Sequence, residues 1–138
     1  NDIRHYPEFY SKFNLQQVSK EELLTRADVV TLHVPLDDST RNMLTGERLS
    51  LMKPTAILIN AARGGLVDEM ALKEMLKKKR IAAAAFDVFV QEPPQDRELL
   101  ELHNFLATPH IGGSAEEAII AMGHAAIDGL DNGEVPRK

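Results

Sequence analysis

Four short apolar runs, each delivering polar residues at its C-terminal tip, constrain this 138-residue chain most. Asp28 to Val34 runs through His33 and Val34 to Pro35, and Ala56 to Ile59 runs into Asn60-Ala61-Ala62-Arg63-Gly64-Gly65. Ala82 to Phe86 leads to Asp87 and on to Glu92, and Phe105-Leu106-Ala107 leads to Thr108-Pro109-His110-Ile111-Gly112-Gly113. Helix-length segments separate the runs, the alternation expected of a parallel α/β sheet. In such a sheet ligands bind beyond the carboxyl ends of the strands. Arg63, Glu92 and His110, far apart in sequence, are therefore expected at one edge.

The helix signals fit between these strands. Ser19-Lys20-Glu21-Glu22 reads as a capping box opening a helix through Ala27, and Thr45 is placed to cap a short helix to Met52. Asp68 precedes Leu72, Met75 and Leu76 at helical spacing. Ser114-Ala115-Glu116-Glu117 reads as a second capping box for a long helix toward Leu130, with Ile119, Met122 and Ala126 on one stripe. Asp131-Asn132-Gly133 ends that helix and leaves a polar tail. Strands this continuously apolar suggest a sheet covered on both faces.

Composition narrows the function classes. A net charge of −5 argues against broad nucleic-acid binding, and the basic run Lys77-Lys78-Lys79-Arg80 is placed where cations suit a helix C-terminus. No apolar stretch approaches the ~20 residues of a membrane span. With no cysteine there is neither a disulfide framework nor a thiolate metal site, and a cytoplasmic location is expected. No His-Glu-x-x-His or acidic-loop pattern suggests a metal.

The set of segments resembles the D-2-hydroxyacid dehydrogenase family. The carriers are Asp28 to Leu36, Ile59 through Arg63-Gly64-Gly65-Leu66-Val67-Asp68-Glu69, Phe86-Asp87-Val88-Phe89 with Glu92-Pro93-Pro94, and Thr108 to Gly113, in the family's order. Phosphoglycerate dehydrogenase and glyoxylate/hydroxypyruvate reductase members are most alike. The resemblance implies an α/β chain, a partial Rossmann-type doubly wound parallel sheet lacking its first strands, with a long C-terminal helix. Residues 1–113 would form the second part of an NAD(P)-binding domain, and residues 114–138 a helix returning toward a substrate domain. The fingerprint G-x-G-x-x-G, whose backbone N–H groups receive a pyrophosphate, does not occur in this sequence. Asp2 resembles the acidic residue that follows it and contacts the ribose, which would put the glycine turn upstream of Asn1 and favour NAD, with NADP as the alternative.

Reduction of a 2-keto acid needs a hydride at the carbonyl carbon, a proton for its oxygen and a cation for the carboxylate. His110 can donate the proton, with Glu92 fixing its tautomer, and Arg63 has the planar fork for a carboxylate. The resemblance assigns the same three roles. It also implies that Asp87 faces the nicotinamide carboxamide and that His33, Val34, Pro35, Asn60, Ala61, Ala62, Gly112 and Gly113 line the cofactor cleft. Plainer readings exist for each: Arg63 could pair with Asp68 or Glu69, and Glu92-Pro93-Pro94 could be a polar turn. Two classes remain, an NAD(P)-dependent oxidoreductase present as a fragment and a non-enzymatic fragment or corepressor-like protein of the same fold. An unpaired edge along Asp28 to Val34 would favour a homo-oligomer such as a dimer, with that edge or the long helix covered by a second copy.

Overall fold

The computed structural model describes residues 1–133; the polar tail beyond Gly133 lies outside them. Its centre is one sheet of four parallel strands, β1 (Val29–Leu32), β2 (Ile57–Asn60), β3 (Ala83–Phe86) and β4 (Phe105–Ala107), ordered as in the sequence. Val30 lies opposite Leu58, Leu58 opposite Ala84, and Ala84 opposite Phe105. The strands are shorter than the apolar runs. Asp28, Ala56 and Ala82 stay outside the ladder as residues of the approaching loops, and His33 and Val34 already belong to the outgoing loop.

Around the sheet run α1 (Pro7–Lys12), α2 (Lys20–Arg26), α3 (Gly46–Leu49), α4 (Glu69–Lys77), α5 (Arg97–Leu100) and α6 (Glu116–Asn132). Ser19, Thr45 and Asp68 each accept from the backbone N–H three residues on, closing the first turns of α2, α3 and α4. The reciprocal half of the first capping box is missing, because the Glu22 carboxylate takes Arg26 instead. The second box does not form at all. Ser114 is held in a turn by its N–H to the Ile111 carbonyl, so Ala115 becomes the N-cap and contributes no side-chain bond. Glu117 then falls one position short of N3, the place a capping box needs. The short helix after Thr45 stops at Leu49, where Met52 closes a tighter turn onto the Leu49 carbonyl.

Only one face of the sheet is covered by the described residues, against the expectation of two. Val30, Leu32, Leu58, Ala84, Phe86 and Phe105 point toward Leu24, Leu49, Leu72, Leu76 and Leu99 from α2 to α5 in a single buried cluster. On the other face Val29, Ile57 and Leu106 are exposed. The cause is topological. Parallel crossovers share one hand, so strands that always step the same way along a sheet put every connecting helix on the same side. Helix α1 buries nothing, and α6 exposes Ile119, Ile120, Met122 and Ile127.

Candidate active site

The four strands all finish at the same edge, and three of the loops beyond them are held together there by side-chain hydrogen bonds and backbone packing. The stitching starts at Asn60, the last residue of β2. It shares the inward face with Leu58, two residues earlier, and is 1% exposed. A polar group so buried needs partners. Its Oδ1 accepts from the Ala62 N–H (3.2 Å) and its Nδ2 donates to the Arg63 carbonyl (2.9 Å), bending residues 61–63 into a fixed loop. Gly64 then lies flat on the next loop: a Cβ there would sit 1.9 Å from the Phe89 carbonyl oxygen. Gly65, with φ of 82°, makes the turn that L side chains resist.

Asp87, following β3, ties in the loop after β4. Its Oδ1 accepts from the Thr108 hydroxyl (2.5 Å) and the Ile111 N–H (3.0 Å), and its Oδ2 from the Gly112 N–H (2.8 Å). These donors, the Thr108 hydroxyl first, hold the Asp87 carboxyl below its ordinary pKa against the opposing effect of burial. The clamped loop carries His110 in a left-handed conformation, φ 55°. Such a conformation is uncommon outside glycine. It turns the ring back toward the loop after β3, where the Nδ1–H donates to Glu92 Oε2 at 2.8 Å. The other oxygen, Glu92 Oε1, accepts from the Phe89 N–H at 3.0 Å. The bond from His110, then that from Phe89, lowers the Glu92 pKa, so the carboxylate accepts only and the Nδ1 proton belongs to the imidazole. Among the described residues Nε2 has no hydrogen-bond partner.

Two hollows flank this stitching. One of about 200 Å³ is lined by Asp87, Phe89, Glu92, Pro93, Pro94, Thr108, Pro109 and His110. The other, of about 150 Å³, lies at the ends of β2, β3 and β4 and is lined by Asn60, Ala61, Asp87 and Thr108 with an apolar floor of Ile59, Ala85, Phe86 and Leu106. Asp87 and Thr108 border both.

The remaining candidates are distributed less tightly. Arg63 is exposed and makes no polar contact with Glu92 or His110; its Nη1 donates to the Ala62 carbonyl at 2.6 Å. The two carboxylates of the plainer reading are occupied elsewhere, Asp68 on the Ala71 N–H and Glu69 on the Val90 N–H. His33 bonds Thr31 at 3.0 Å, Pro35 accepts from Thr40, and Gly113 stands in open space. Asp2 lies in the N-terminal segment, where its Oδ1 accepts from the Arg4 N–H and its hollow is lined only by residues up to Gln17. Among the described residues, no group of three or more His, Asp or Glu is placed to hold a metal, and no helix is long and apolar enough to cross a membrane.

The Asn60 side chain, Thr108 and Gly64 are parts of the site that sequence reasoning gave no structural role. The signal for Asn60 was a polar residue in phase with buried Leu58 at a strand end.

Comparison with known proteins places this arrangement. Residues 2–112 match the family model described as D-isomer specific 2-hydroxyacid dehydrogenase, NAD binding domain. D-3-phosphoglycerate dehydrogenase of Methanocaldococcus jannaschii is 56% identical over 102 residues, 74% of this chain and 20% of that protein. Glyoxylate/hydroxypyruvate reductase B of Enterobacter agglomerans is 47% identical over 131 residues, 94% of this chain and 41% of that protein. Among solved structures, a D-lactate dehydrogenase from Sporolactobacillus sp superposes with a TM-score of 0.83 at 40% identity, covering 99% of this chain and 46% of that one. The chain thus spans between a fifth and about half the length of the relatives it matches. A match that takes in all four strands and every residue of the two flanking hollows, joined to the same fold in a solved relative, assigns this chain to the D-isomer specific 2-hydroxyacid dehydrogenase family, within its NAD binding domain.

Proposed function

We propose that this chain supplies the acid–base pair and part of the nicotinamide site of a dehydrogenase that interconverts D-2-hydroxy acids and 2-keto acids. The observation that carries this reading is the His110–Glu92 hydrogen bond at 2.8 Å on the wall of a cleft of about 200 Å³. With Nδ1 committed to Glu92, His110 gives a proton from Nε2 to the carbonyl oxygen in reduction and takes it back in oxidation. Glu92 keeps the ring in that tautomer and stabilises the imidazolium. Arg63, free of any carboxylate partner among the described residues, binds the substrate carboxylate through its guanidinium.

The residues at the strand ends suit an NAD nicotinamide. The smaller hollow offers an apolar floor for a planar ring and polar groups at its rim. Asp87 fills three of the roughly four acceptor sites of a carboxylate with donors of the loop after β4, leaving one for a carboxamide N–H. His33, Val34, Pro35, the Asn60 to Ala62 backbone, Gly112 and Gly113 form the surrounding rim, and Asp2 meets the ribose, which favours NAD over NADP. NAD, when bound, supplies the hydride acceptor or donor. The division of the chain at residue 113, with α6 leading away toward a substrate domain, belongs to the same reading.

A homo-oligomer follows from the bare sheet face and the exposed stripe of α6, each an apolar surface that a second copy would cover. A cytoplasmic setting suits a chain without cysteine.

Grafting residues 1–133 in place of the matching segment of the Enterobacter agglomerans relative and assaying NADH and NADPH oxidation with glyoxylate and hydroxypyruvate tests the proposal. Turnover that falls by about 10²–10⁴ in the His110→Asn graft supports it. Turnover that survives that change would remove His110 from the chemistry, and a folded graft without turnover would favour the corepressor-like alternative.

A further inference from the structure

The segment between Phe86 and Pro94 has to bring Glu92 to the His110 ring without regular structure of its own. Phe89 is buried and packed under Gly64, but the next side chain, Val90, is 67% exposed and anchors nothing. What fixes Val90 is its backbone. Its N–H donates to Glu69 Oε1 at 2.8 Å, across 21 residues of sequence. Glu69 is the first residue of α4, and that helix start is set firmly because Asp68 caps it through the Ala71 N–H at 2.9 Å.

The Glu69 carboxylate stands in the first turn of α4, where negative charge suits the helix, and its hydrogen bond is to the Val90 N–H. It is half-buried, and removal from water raises its carboxyl pKa while the Val90 amide works in the opposite direction. Among the described residues it has no cation: Lys73 and Lys77 on the same helix are taken by Asp96 and Glu98. A desolvated carboxylate without a counter-ion persists where it satisfies a specific donor. That donor lies two residues before Glu92.

We infer that Glu69 is a positioning residue for the Glu92–His110 pair: by holding the Val90 backbone it sets the approach of the Glu92 carboxylate to the imidazole. The inference rests on the reading of that pair as the acid–base machinery and extends it to a side chain on α4 that touches neither member. Glu69 acts on the ring only through Val90 and Glu92.

The test is the tautomer of His110, read from its ring ¹⁵N shifts in the chain at a pH where the imidazole is neutral. The wild-type ring should be mainly the Nδ1–H form. Glu69→Gln, whose amide oxygen still accepts from Val90, should keep that form. Glu69→Ala should let the ring relax toward the mixture of a free imidazole, with the Val90 amide exchanging about tenfold faster, the loss of roughly one hydrogen bond. If the alanine variant does not fold, Glu69→Asp, one methylene too short to reach Val90, is read the same way. A Glu69→Ala chain that melts earlier yet keeps wild-type His110 shifts overturns the inference, because the role would then be structural alone. A wild-type ring already in the free-imidazole mixture overturns the pairing itself, whatever Glu69 does.

Discussion

Asp87 and Gly112 meet through one oxygen that leaves no space for a methyl group. Asp87 Oδ2 accepts from the Gly112 N–H at 2.8 Å, and a Cβ on Gly112 would stand 2.9 Å from the same atom. The carboxylate cannot simply swing aside, because its other oxygen is held by Thr108 and Ile111. Gly112→Ala is expected to cost about 1–3 kcal/mol, the range for overfilling a packed site. Urea denaturation at neutral pH measures it. Stability equal to wild type would mean that the clamp gives way freely.

Removing the charge at Asp87 should show in the acid limb of stability. The folded-state pKa of this carboxyl lies below its ordinary value, about 3.9. Its stabilising contribution is therefore complete above that value and is lost as pH falls through the folded pKa. Asp87→Asn keeps one acceptor oxygen but replaces the other with an amide that cannot accept. It should lose about 1–3 kcal/mol near neutrality, and the gap from wild type should narrow as pH drops below about 4. A constant gap across that range, in paired denaturation curves, would argue that the carboxylate charge is irrelevant to the loop.

The isolated chain is expected to bind NAD weakly. The strand-end residues described above offer a place for the nicotinamide, whereas the 138 residues contain no G-x-G-x-x-G turn to present N–H groups to the pyrophosphate. Calorimetric titration with NAD should give no saturable heat at micromolar concentration. Micromolar affinity would show that the other contacts suffice.

The bare sheet face gives the assembly prediction. Val29, Ile57 and Leu106, on β1, β2 and β4, lie on one face of the sheet and remain exposed, and β1 has an unpaired outer edge among the described residues. Such an edge is a template for another chain. Sedimentation at micromolar protein should show a dimer or larger species. A monomer whose Val29–Leu32 amides are nevertheless protected from exchange would show that no second copy is needed.

Much of this was legible in the sequence, for identifiable reasons. Asp28 to Val34 and Ala82 to Phe86 announced strands because apolar runs of that length have few other uses, and Asp68 and Thr45 announced helix starts because a short side-chain acceptor has a local target. The local rule failed at Ser114, where a turn closed on Ile111 moves the helix start by one residue and strands the box. Coverage of the sheet failed for a different reason: apolarity says that a face wants burial, but the direction in which successive strands are added decides where helices go. At the site, the strand ends gave the residues that gather there. They could not give the bonds across 18 to 25 residues that join Glu92 to His110 and Asp87 to Gly112, or the burial that turns Asn60 from a loop residue into a bracket.

Gly64 makes the ledge under Arg63 and the ledge bearing Glu92 a single mechanical part. With its missing side chain filled by the Phe89 peptide, neither loop has room to slide past the other, so under the roles proposed for Arg63 and Glu92 a tug on the guanidinium by a bound anion would be felt at the base of the glutamate. Anion capture and proton exchange would then be adjusted together, through a contact made of backbone alone and carrying no charge.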